Sequence, residues 1–212
     1  MRILTTVAAA ALSFVSATAH TAPRGDCRLD KADRTVHGVT LGDSASGKRI
    51  LGDRMTSKLH MVEREGGDFP WYVFVSRDGT QTIAYRTHPG DVVNSYNEVE
   101  VRLVRIGPKQ LLGHDESYYV GREGSPPKLP AGSFVTASGI RLGMTEAEVT
   151  RRIGRCFKVL GARDGMRTIR YAVEDETARL PVLKPANMPS YYAEYQFERG
   201  KLVRYRFGYD YP

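Results

Sequence analysis

The sequence predicts an α+β protein built from two tandem units, each a short helical segment followed by an antiparallel sheet of about three strands. Two observations carry that expectation. A glycine-framed motif occurs twice, about a hundred residues apart, which is the signature of an internal repeat. After each copy come runs that alternate apolar and polar residues between turn signals, the pattern of half-buried strands.

The chain opens MRILTTVAAAALSFVSATAHTAP. Arg2 supplies a positive start, Ile3 to Val15 an apolar stretch, and Ala17-Thr18-Ala19 the small-x-small site that a signal peptidase needs. The apolar run, about 13 residues long, is too short to span a bilayer. Residues 1–19 therefore read as an export signal cut after Ala19, and 20–36 as an N-terminal extension. The mature chain is expected to be periplasmic or secreted, with no transmembrane segment.

The first unit is expected over residues 37–104. It begins with HGVTLGDSASGKRILGD, His37 to Asp53, which invites two enzymatic readings. Gly42-Asp43-Ser44 has the look of the nucleophile block of GDSL-type hydrolases, but those need a histidine base near the C-terminus. The last histidine here is His114. Gly42 to Lys48 fits GxxxxGK, yet Arg49 stands where a phosphate loop needs the Ser or Thr that holds magnesium.

The repeat offers a simpler reading. GVTLGDSASGKRILG (Gly38 to Gly52) aligns with GIRLGMTEAEVTRRIG (Gly139 to Gly154) in a shared frame, G-[VI]-x-L-G-x-[ST], closed by [IL]-G. In both, the inner glycine turns the backbone and a hydroxyl, Ser44 or Thr145, caps a short helix. Glu148, three residues after Thr145, completes a capping box. Ser44 is thus expected to be a cap, with a Ser44 hydrolase kept as an alternative. Gly47 inside the first helix lowers its propensity by about 1 kcal/mol relative to alanine, so that helix is expected to be short or irregular. WYVFVS and TQTIAYR then flank Asp78-Gly79, a hairpin signal. NEVEVRLV alternates through Val99, Val101 and Leu103 as a half-buried strand.

Residues 105–137 are expected to connect the units, GREGSPPKLPAGS being their most linker-like part. The second unit, 138–212, continues with RTIRYAVE, a proline-rich insertion loop RLPVLKPANMPS, and a hairpin YYAEYQFERGKLVRYRFGY. A three-residue loop, Glu198-Arg199-Gly200, would place Tyr195 opposite Val203, Ala193 opposite Tyr205 and Tyr191 opposite Phe207. The other face would pair Glu194 with Arg204 and Tyr192 with Arg206. That register is favoured because it separates aromatics from arginines.

The repeated frame, a short helix and an antiparallel sheet resemble the BamE-like (SmpA/OmlA) outer-membrane assembly lipoproteins and the tandem-repeat beta-lactamase inhibitory proteins. The match is strongest over Gly139 to Arg155. The resemblance implies helices on one sheet face and the other face open to a partner. Arg24-Gly25-Asp26 is not the small, apolar lead-in that would make Cys27 a lipidation site.

Composition narrows the function. The chain has 212 residues and a formal charge of +7; from Gly139 onward 14 Lys and Arg stand against 9 Asp and Glu, a net +5. That half favours an acidic protein face or an anionic glycan or lipid, whereas an exported protein rarely meets nucleic acid. The two cysteines, Cys27 and Cys156, are in an oxidising compartment most simply a disulfide. It would restrain the unfolded chain by about 5 kcal/mol. His60 and Glu63 form H-x-x-E, and His114-Asp115-Glu116 sits in a loop, but neither has the spacing of a metal site. No metal or cofactor is expected, and no carboxylate pair presents itself for acid–base work.

Six of the twelve tyrosines lie in the last 22 residues. Tyrosine and arginine are the residue types that dominate protein-binding hot spots. Tyr191, Tyr195, Tyr205 and Phe207 are assigned to the core and Trp71 to a core or edge anchor. Tyr192, Arg204, Arg206 and Tyr209 are the candidate partner contacts. The sequence therefore predicts an exported, non-enzymatic envelope protein of assembly or inhibitor type that binds another protein through a sheet face. A binder of anionic envelope glycans or lipids is the alternative.

Overall fold

The computed structural model describes residue 29 and residues 31–53, 61–62, 71–87, 92–105 and 126–209. The export signal, Cys27, the histidines at 60 and 114 and most of the connecting segment lie outside them. No helix among the described residues is long and apolar enough to cross a membrane.

Local chemistry sets the elements. A two-residue ladder, β1 (Thr35–Val36) with β2 (Val39–Thr40), leads into α1 (Ser44–Leu51). The strands β3 (Met61–Val62), β4 (Trp71–Val75), β5 (Gln81–Arg86) and β6 (Glu98–Leu103) follow. The second half runs α2 (Glu146–Ile153), β7 (Lys158–Arg163), β8 (Met166–Glu174), β9 (Ser190–Glu198) and β10 (Lys201–Gly208).

These strands do not form two sheets. All eight from β3 onward join one antiparallel sheet in the order β3-β4-β5-β6-β10-β9-β8-β7; it has seven strands if the two-residue β3 is set aside. The seam is β6 against β10, with Val99 opposite Phe207 and Val101 opposite Tyr205. Side chains of both helices, Leu51, Val149 and Ile153, enter the same core. The expectation of an α+β protein with two tandem helix-plus-sheet units is therefore overturned: the protein is mostly β. The cause is a pairing between strands about a hundred residues apart, which local periodicity cannot register.

The two motif copies nevertheless take the same shape. Each yields an eight-residue helix, and Gly42 and Gly143 turn the chain before it with φ of 81° and 86°. Their caps differ. Thr145 and Glu148 form the expected reciprocal capping box. In the first copy the cap is Asp43, whose carboxylate accepts from the Ala45 N–H at 3.0 Å. Ser44 is not the cap but the first helical residue, because the carboxylate one position earlier already reaches the free amides. Gly47 has a packing reason: a Cβ there would lie 2.1 Å from the Asn94 carbonyl oxygen. The helix backbone needs the missing side chain to approach residues 94–96.

The C-terminal hairpin also departs from its expected register. Its turn is the two residues Arg199-Gly200, both at positive φ, as tight hairpin turns require. A bulge between Leu202 and Arg204 then sets Tyr205 opposite Tyr195, Arg206 opposite Glu194 and Phe207 opposite Ala193. The bulge lets a tight turn coexist with separated faces, which a regular ladder would not.

Beneath the helices, the core face carries Ile83, Tyr85, Val99, Val101, Tyr195, Tyr205 and Phe207. Its tyrosines hold the covering segments by their hydroxyls. Tyr85 donates to Val36 O at 3.1 Å, Tyr205 to Phe134 O at 3.1 Å, and Tyr191 to Asp33 O at 2.7 Å. Tyr171 donates to Gly154 O at 2.6 Å and Tyr209 to Val182 O at 3.0 Å. Residues 126–137, read as linker, are docked: Leu129 N–H donates to Val75 O and the Phe134 ring is buried. The proline-rich passage is, as expected, the loop between β8 and β9, and it buries Val182 and Leu183.

Candidate functional site

The opposite sheet face is built by the alternate residues of the same strands. Register aligns them into cross-strand rows. One row runs Ala84, Glu100, Arg206, Glu194, Arg170 across β5, β6, β10, β9 and β8. A second runs Arg86, Glu98, Gly208, Tyr192, and a third Thr82, Arg102, Arg204, Gln196, Thr168. Opposite charges alternate in the first row, the arrangement that stabilises neighbouring strands.

The contacts follow from these rows. Arg204 Nη2 donates to Glu100 Oε2 at 2.7 Å, and its Nη1 lies 4.0 Å from Glu194 Oε2. Glu194 also accepts from Arg170 at 2.9 Å and from Arg206 at 3.3 Å. Arg206 Nε lies 3.4 Å from Glu98, which also pairs with Arg86 and accepts from the Tyr192 hydroxyl. The guanidinium groups of Arg170 and Arg206 sit 4.8 and 5.1 Å from the Tyr192 ring centroid, in cation–π range. Gly208 makes the Tyr192–Glu98 contact possible. It stands between them in the row, and a Cβ there would be 2.8 Å from Asn97 O and 2.9 Å from the Glu98 side chain.

Three groups of this layer are shifted by their surroundings. Burial acts to raise the Glu100 carboxyl, but the Arg204 ion pair, with Arg102 and Arg206, outweighs it and holds the pKa below the ordinary carboxylate value. Burial and the Glu98 carboxylate push the Tyr192 phenol well above 10, so it remains a donor. Burial would release a proton from Arg206, but Tyr192 and the surrounding carboxylates overrule it. Glu100 and Arg206 are thereby favoured in their charged forms and Tyr192 as a hydrogen-bond donor. Among the described residues no group of three or more His, Cys, Asp or Glu could hold a metal ion.

The structure thus brings Tyr192, Arg204 and Arg206 together, as the alternation predicted, but buries them at 3%, 2% and 6% exposure. The expected exposed sheet face is instead a covered charge layer. Tyr209 is not with them: it lies on the core side against Tyr191, ring centroids 5.8 Å apart. Cys156 is disulfide-bonded; its expected partner, Cys27, is outside the described residues. Trp71 is buried with Val73 and Ala84, and the Arg86 guanidinium is 5.5 Å from its ring centroid.

Sequence reasoning missed Arg86, Glu98, Glu100 and Arg170. The signal was present in NEVEVRLV, whose second set of alternating residues is Glu98, Glu100 and Arg102. It also missed β7, whose hairpin to β8 turns at Asp164-Gly165, both at positive φ, a dipeptide that marks such turns.

Among the described residues β7 is the strand of the second half with a single neighbour, β8. Val159 and Leu160 on it are 47% and 51% exposed, and Arg155, Lys158 and Arg163 beside them are exposed as well. No protein-family model, curated protein or solved structure matches this chain.

Proposed function

We propose that this is an exported, non-enzymatic binding protein whose second half holds an acidic face of another protein. One observation carries the reading: among the described residues of that half nine Lys and Arg are exposed, against three exposed carboxylates, Asp164, Glu174 and Glu176. Glu194 is buried between Arg170 and Arg206, Glu146 is paired with Arg167, Glu198 with Arg105, and Glu148 with the Thr145 cap. Arg141, Arg151, Arg155, Lys158, Arg163 and Lys201 are exposed. Cations so distributed steer an anionic partner more than they stabilise the fold. The motif resemblance over Gly139–Arg155 also supports binding over catalysis.

The test is retention of envelope proteins on the immobilised full chain, compared with an Arg151→Glu/Arg155→Glu/Lys158→Glu variant of unchanged circular dichroism. The expected result is a discrete retained protein that salt releases and the variant fails to hold. Equal retention by both chains would sink the reading. Binding of anionic vesicles or lipopolysaccharide in place of any protein would replace it with the glycan or lipid alternative.

A further inference from the structure

We infer that β7 is the docking edge, and that its occupant is an extended, acidic-ended segment of the partner protein added as a further strand of the sheet. This rests on the protein-binding reading above and gives it a place and a geometry.

β7 pairs only with β8, so among the described residues its outer row of amide and carbonyl groups faces no strand. Such a row is a template for a chain that brings its own backbone hydrogen bonds. Natural edges are kept short, bulged or charged to prevent indiscriminate pairing. β7 has two of these devices, and both are selective. The irregularity between Val159 and Gly161 removes one residue from the ladder with β8, leaving Leu160 half-exposed at the edge. The cations at its ends, Lys158 and Arg163, are the first and last residues of the strand.

Those end charges decide the occupant. A second copy pairing antiparallel to β7 would set Lys158 opposite Arg163 at both ends, and like charges directly opposite are destabilising. The same geometry welcomes a segment with Asp or Glu at its ends and apolar residues between, which would meet the cations and cover Val159 and Leu160. Arg163 pairs with the exposed Asp164 carboxylate at 3.2 Å, a contact that an incoming acid displaces at little cost. Lys158 stands opposite Arg170 on β8, so the cationic edge continues inward.

A photo-crosslinking amino acid placed at position 160, and separately at the exposed position 151 on α2 as control, tests this in envelope extract with the full chain. The expected result is an adduct at 160 whose linked peptide is acidic and apolar. The synthetic form of that peptide should slow hydrogen exchange at alternate amides of residues 158–163. A Lys158→Glu/Arg163→Glu variant should lower adduct yield at least about tenfold, the effect of roughly 1.4 kcal/mol. Leu160→Thr, which keeps strand propensity, should weaken the adduct with no change in circular dichroism. An adduct at 151 and none at 160 overturns the edge assignment and leaves the protein-binding reading standing. Adducts at neither position overturn both. An adduct at 160 to a second copy, or to lipid or glycan, overturns the occupant.

Discussion

The two faces of the central sheet are made by alternate residues of the same strands, and both are buried, yet they solve burial differently. On the core face, tyrosine rings pack beneath the helices and their hydroxyls donate to loop carbonyls, as Tyr205 does to Phe134. On the other face, arginines and glutamates satisfy one another from strand to strand, as Arg204 does with Glu100. The difference teaches what each face contributes. Core tyrosines fasten segments distant in sequence to the sheet. The charge layer fastens the strands to each other, and its register is specific, because a one-residue slip would turn the charged residues of a strand onto the apolar core face.

Removing one partner from the layer should have the largest effect. Arg204→Ala leaves the Glu100 carboxylate buried without its 2.7 Å donor and should cost about 3–5 kcal/mol in urea denaturation. Arg204→Met with Glu100→Leu should recover part of that loss, since both members of the 2.7 Å pair leave together and neither is left buried alone. If the double variant were as unstable as the single one, the layer would not be an ion-pair network.

The same pair makes the layer acid-sensitive. The Glu100 pKa is lowered on folding from its ordinary 4.5. Its stabilising contribution is therefore complete above that value and fades as pH falls through the folded pKa. Glu100→Gln should start less stable at neutral pH and lose stability less steeply below about pH 5. An acid limb as steep as that of the unaltered chain would assign the sensitivity elsewhere.

Three tyrosines sharpen the comparison further. Tyr192→Phe removes the hydroxyl bonded to the Glu98 carboxylate and should cost about 1.5–3 kcal/mol, the range for a charged acceptor. Tyr205→Phe removes a bond to a neutral carbonyl and should cost about 1 kcal/mol. Tyr195→Phe removes a buried hydroxyl that has no hydrogen-bond partner among the described residues and should cost under about 0.5 kcal/mol, or stabilise. A reversed order in melting temperature would show that the faces do not differ as described.

Much of this was legible one residue at a time. The positions of the turning glycines, the Thr145–Glu148 capping box and the Asp78-Gly79 hairpin all follow from local chemistry. So does the assignment of Tyr191, Tyr195, Tyr205 and Phe207 to one face and of Tyr192, Arg204 and Arg206 to the other. The Ser44 cap was misplaced by one residue because Asp43 is an equally good acceptor there. The hairpin register missed the bulge at Val203, which no local signal announces. The candidate contacts proved covered because alternation says which face a side chain joins and nothing about what lies over that face.

The sequence by itself determined the glycine-framed helices, the strands other than β7 and the short β3, and the sorting of side chains between two faces, since each depends on neighbours within a few residues. Only the tertiary structure decided that β6 meets β10 in one sheet, that the arginine face is buried among carboxylates, and that β7 is left at the edge. Those outcomes depend on contacts between residues about a hundred positions apart, whose closing entropy only the assembled core can offset.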